Sequence, residues 1–118
     1  MAIATINIGA PMPTSVELAG TDLSADNAVN YNLLANQLLI ITNASGGDYT
    51  PTLIGDAASG TYFAKGIGYV PLNSGKPLPL MADGEEFIFK LKSADNFLQG
   101  AVTITPATAG VTALVLEI

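Results

Sequence analysis

Glu86-Phe87-Ile88-Phe89-Lys90-Leu91-Lys92 is the stretch whose reading decides the fold. Its period is two. Phe87, Phe89 and Leu91 fall on one face, and Glu86, Lys90 and Lys92 share the other with Ile88. That is a strand with one side in a core. Working outward, Gln37-Leu38-Leu39-Ile40-Ile41-Thr42-Asn43 is apolar on both faces and reads as a central strand covered on both sides. In Ala101-Val102-Thr103-Ile104-Thr105 the inward residues are Val102 and Ile104. Residues 112–118 form a further strand, with Leu114, Leu116 and Ile118 on one face. Shorter strands are expected at 5–8, 15–18, 50–54, 69–72 and 78–81.

Turn signals separate these runs: Ser45-Gly46-Gly47, Ser59-Gly60, Asn73-Ser74-Gly75, Asp83-Gly84, Gln99-Gly100 and Ala109-Gly110. A helical turn is expected at 93–97 and a short helix at 26–34. Short strands with frequent turns predict an all-β chain, a compact antiparallel β-sandwich or barrel. An extended N-terminal arm and at most one or two short helical turns complete it. The 118 residues make one domain. Within it, residues 1–30 read as an arm lying on a neighbour or as an edge segment, and 31–118 as the sandwich. Ile3, Ile6, Ile8, Pro11, Pro13, Val16 and Leu18 are the candidate docking residues of that arm.

Composition narrows the chemistry. Cys, His and Trp are absent, so no disulfide, thiolate, His-based triad or His/Cys zinc site can be built. Four Lys, no Arg and a net charge of −6 make a poor nucleic-acid binder, because phosphate neutralisation supplies most non-specific affinity. Charged residues are 12% of the chain, against roughly 25% in an ordinary soluble domain. With a mean hydropathy of +0.44, that balance predicts apolar surface covered by neighbours. Apolar runs such as residues 38–41 fall far short of the roughly 20 needed to span a bilayer. No basic residue precedes the first apolar stretch, so no secretory signal is expected, and the chain reads as a cytoplasmic product. Neither an enzyme, a cofactor, a metal nor a membrane partner is expected.

The residue clusters point the same way. Asp83, Glu85 and Glu86 read as a solvated turn and not as a glycosidase pair, since no cleft is signalled. Asp22 and Asp26 space their oxygens like part of a calcium loop but lack its Gly turn and terminal Glu, so a turn or cap is the reading. Residues 55–60 and 66–68 hold glycines without the Lys-Ser or Lys-Thr of a phosphate loop. Asn43-Ala44-Ser45 matches a glycosylation sequon, which matters only in a secretory setting. Tyr49, Tyr62, Phe63 and Tyr69 form a candidate recognition face for sugar or protein; packing along sandwich edges is the alternative.

The layout also resembles a known group. Asn36-Gln37-Leu38-Leu39-Ile40-Ile41-Thr42-Asn43 leads into Ser45-Gly46-Gly47 and then Tyr49-Thr50-Pro51-Thr52-Leu53. Leu78-Pro79-Leu80, Phe87-Ile88-Phe89, a turn containing Phe97, residues 101–105 and an apolar final strand follow. This order resembles the small head-associated, capsid decoration (cement-like) β-sandwich proteins of tailed bacteriophages. The resemblance implies a non-enzymatic virion protein on the outer capsid surface, made in the host cytoplasm. It implies docking on the major capsid protein or another virion protein, homo-oligomerisation with the trimer first, and capsid stabilisation. A tail, neck or head-fibre component and a carbohydrate-binding or adhesion module are the alternatives. The absence of Arg departs from the group's pattern and bears on the docking surface.

Overall fold

Period-two stretches become strands, and Gly-containing turns become the reversals between them, in the computed structural model of the chain. It describes residues 3, 5–7, 20–32, 34–66 and 68–117, with Ile6, Asn7, Tyr62 and Ala64 described in backbone only. The strands are β1 (Thr5–Asn7), β2 (Thr21–Asp22), β3 (Ala28–Val29), β4 (Gln37–Asn43), β5 (Thr52–Gly55) and β6 (Thr61–Ala64). They continue as β7 (Gly68–Pro71), β8 (Lys76–Pro77), β9 (Glu86–Lys90), β10 (Val102–Thr105) and β11 (Val111–Glu117). Two 3₁₀ helices, Leu72–Ser74 and Leu91–Phe97, complete the described elements.

Two sheets form the layers. The first runs β1-β11-β4-β9, with β2 also paired to β11. The second runs β3-β10-β5-β8, and β6 and β7 form a separate hairpin. All described pairings are antiparallel except β1 with β11. Neither sheet closes into a barrel, so the architecture is the sandwich. The longest ladders are β4 with β11, from Val111 opposite Asn43 to Glu117 opposite Gln37, and β4 with β9.

The core lies between the sheets. Leu39 and Ile41 of β4, with Val111, Ala113 and Val115 of β11, meet Leu53 of β5 and Val102 and Ile104 of β10. Leu91, Ala94 and Phe97 of the longer 3₁₀ helix fill one end. Full burial of an aliphatic side chain is worth roughly 1.5–3 kcal/mol. This face-to-face contact therefore outweighs the two-residue strands β2, β3 and β8, which need it to persist. Both buried polar side chains among the described residues are hydrogen-bonded. Asn43 donates Nδ2–H to Gly47 O (2.7 Å) and Met81 O (3.0 Å), and its Oδ1 accepts from Ser45 N–H and Oγ–H. Gln37 donates to Asn30 O (3.0 Å) and accepts from Asn32 N–H (2.8 Å).

Several expectations are corrected. Among the described residues of 26–34 there is no helix: Asp26 Oδ1 accepts the Ala28 N–H, Asn27 exchanges bonds with Ile104, and β3 follows. Side chains that bond locally or to a neighbouring strand draw the backbone away from helical turns. The strand expected at 78–81 is instead β8 at Lys76–Pro77 and a single bridge between Met81 and Tyr49. Strand β6 was not anticipated. In β4, only one face is fully buried; Leu38 and Ile40 on the other are half-buried. The strand expected at 15–18 lies outside the described residues. The described parts of residues 1–30 are built into the sheets. Ile3, Leu23 and Val29 are core residues, and β1, β2 and β3 pair with β11 and β10.

Candidate docking surface

Strand alternation places a second apolar layer on the outside of the first sheet. Register aligns it in rows. Ile88, Ile40 and Leu114 stand side by side across β9, β4 and β11. Lys90, Leu38 and Leu116 form the next row, and Glu86, Thr42 and Thr112 the row on the other side. Ile88 is 58% exposed, Leu38, Ile40 and Leu116 are half-buried, and Leu114 is buried. A depression of about 170 Å³ between Gly20, Ile40, Thr42, Glu86, Thr112, Ala113 and Leu114 opens on this face. It is smaller than the roughly 300–1,000 Å³ of an ordinary small-molecule pocket. A row of β-branched and Leu side chains flanked by threonines and one charge of each sign suits a protein surface better than a small ligand.

A second exposed apolar feature is the β6–β7 hairpin. Phe63 and Tyr69 are directly opposite in its register. Their rings meet edge to face at 5.2 Å, and they are 59% and 75% exposed. A cross-strand aromatic pair stabilises an isolated hairpin, and here it leaves aromatic surface open to solvent.

The sequence-derived site residues separate on the structure. Tyr49 does not join the recognition face. It is 4% exposed, and its Oη–H donates to Pro106 O (2.7 Å). Burial pushes its phenol up to about 12. Tyr62 lies on β6 between Thr61 and Phe63, with its side chain outside the description. Of the arm residues, Ile3 is a core residue, 1% exposed, with its N–H donating to Ala28 O (2.8 Å), so it is not free to dock. Ile6 pairs with Leu116 through the backbone. Ile8, Pro11, Pro13, Val16 and Leu18 lie outside the described residues.

The carboxylates tie turns. Asp83 Oδ1 accepts the Gly46 N–H, Glu85 Oε1 the Ala82 N–H, and Glu86 Oε2 the Thr42 hydroxyl. Asp22 accepts from Ser24 Oγ–H and N–H and from the Gly110 N–H. The Ser24 hydroxyl first, then the two backbone N–H groups, hold its carboxyl below the usual range. Among the described residues, no group of three or more His, Cys, Asp or Glu is gathered as metal ligands. No described helix is long and apolar enough to cross a membrane. Asn43 of the sequon is fully buried and has no room for a glycan.

Compared with protein-family models, curated proteins and solved structures, the chain gives no match. The surface itself must then carry the functional reading. Sequence reasoning missed the outer face of the first sheet as a site. The signal was present: Gln37–Asn43 is apolar on both faces. A strand apolar on both faces is either covered twice or covered once and waiting for a partner.

Proposed function

We propose that the chain is a non-enzymatic structural protein of a phage virion, a capsid decoration protein. It docks on the outer surface of the shell and stabilises it. The observation that carries this reading is the outward apolar face of the first sheet, with Leu38, Ile40, Ile88 and Leu116 in adjoining rows. Burying it against a shell protein supplies the driving force. The layout resemblance supplies the virion setting. The net charge of −6 favours the outer surface, away from packaged DNA. Binding only to assembled shells stabilises them by mass action, and many copies per shell multiply the effect.

The test uses parent shells lacking the chain. Added protein should co-sediment with them and raise their disruption temperature. The double variant Leu38→Ser/Leu116→Ser should retain its circular dichroism and lose at least tenfold in shell affinity. Absence of the chain from purified virions, or binding unchanged in the folded double variant, overturns the proposal. The exposed Phe63–Tyr69 pair favours a second reading, a carbohydrate-binding or adhesion module, because sugars stack on aromatic faces. A specific glycan-array signal abolished by Tyr69→Ala would select it.

A further inference from the structure

Strand β9 ends the first sheet, and no described strand pairs with its other edge. Hydrogen bonds elsewhere in the sheet show which groups that edge presents. Asn43 N–H donates to Glu85 O, and Ala44 N–H to Gly110 O. Odd residues of β4 therefore bond toward β9 and even ones toward β11. On β9, residues 85, 87 and 89 face β4, and the N–H and C=O groups of Glu86, Ile88 and Lys90 face outward. Natural edge strands are usually blunted by a Pro, a bulge or a central charge. This one has a regular five-residue ladder and Ile88 at its centre, 58% exposed.

The side chains along that edge are self-complementary. Glu-Phe-Ile-Phe-Lys reads as a palindrome in which the two ends carry opposite charge. We propose that β9 pairs antiparallel with β9 of a second copy of this chain about a two-fold axis through Ile88. Ile88 then stands opposite its own symmetry mate. Glu86 faces Lys90 of the other copy on each side of the axis, and Phe87 faces Phe89. Each face of the joined sheet is matched. On the outer face, two Glu–Lys pairs flank an Ile–Ile contact. On the inner face, the half-buried rings of Phe87 and Phe89, already edge to face at 6.2 Å, gain the same rings from the partner. About four main-chain hydrogen bonds close the seam, two between the Ile88 residues and two from Lys90 N–H to the Glu86 carbonyl. The Lys90 carbonyl stays out of the seam: it caps the first turn of the 3₁₀ helix Leu91–Phe97 and accepts from Ser93 Oγ–H (2.6 Å). An isologous contact of this kind closes at two subunits. The apolar row Leu114–Ile40–Ile88 then runs without a break into its mate, doubling the length of the outer face.

Charge exchange tests the pairing. Light scattering over a concentration series, up to about 1 mM, should show a dimer of twice 12.1 kDa. Glu86→Lys alone sets like charges opposite each other twice and should raise the dissociation constant at least tenfold, as should Lys90→Glu. The double exchange Glu86→Lys/Lys90→Glu should restore the dimer. Both positions are exposed, so the variants should keep the native melting curve, which confirms the comparison is between folded proteins. A monomer throughout the series overturns the proposal. So does a dimer or trimer whose affinity ignores both single exchanges, because it uses another surface.

Discussion

Tyr49 shows how a residue's chemistry follows from its depth. Its ring sits in the core and its hydroxyl reaches Pro106 O, so ionisation would place a charge in an apolar setting against a carbonyl. Burial raises its folded value to about 12, above the ordinary value near 10. The stabilisation tied to neutral Tyr49 is thus complete below pH 10 and lost as pH climbs from about 10 toward 12. Unfolding midpoints in denaturant should fall across that window, and Tyr49→Phe should flatten the fall. An equal fall in the variant would place the effect elsewhere. A tyrosine near a Gly turn reads equally well as core or as recognition surface. Nothing local distinguishes them, because a partner 57 residues away supplies the hydrogen bond. Asn43 posed the same difficulty: its sequon was legible, but its bonds to Gly47 and Met81 were not.

At the scale of elements, legibility followed length. Strand β9 alternates over five residues, and its inward Phe87 and Phe89 and outward Ile88 fall as the period requires. Strand β10 likewise buries Val102 and Ile104. Strands β2, β3 and β8 are two residues long, and a pair of residues has no period to read. They are strands because β10, β11 and β5 lie beside them. Strand β11 was legible as a strand, but its core face is Val111, Ala113 and Val115, and its larger Leu116 points out. Alternation fixes which residues share a face and leaves open which face a second sheet will cover. Close approach sets another constraint. A Cβ on Gly55, at the end of β5, would lie 2.5–2.6 Å from backbone atoms of Phe97 and Gln99. Gly55→Ala should cost about 2–4 kcal/mol in denaturant titration. Gly47→Ala, where nothing lies within 4 Å, should be close to neutral. Equal effects at the two sites would refute this account of Gly55.

Across the whole molecule, the described residues before position 31 belong to both layers. They supply Ile3, Leu23 and Val29 to one shared core and three strands to its sheets. A chain lacking residues 1–30 should therefore lose cooperative thermal unfolding. A sharp transition near the native midpoint would show instead that these residues are dispensable. The sequence left arm and edge segment open because three short, Gly- and Pro-punctuated strands carry no amphipathic period. Strand β11 shows the reciprocal dependence. It pairs with β1, β2 and β4, yet it is made after every one of them. During synthesis the first sheet has no centre until residues 111–117 have left the ribosome. Until then β1 and β2 have no strand to join, and β4 offers both its apolar faces and a bare edge to the cell. A pause in translation before residue 111 would prolong that interval. The shielding of the nascent chain by a chaperone would matter most there, because at roughly 5–20 residues per second the molecule cannot hide its own surface for several seconds after β4 is made.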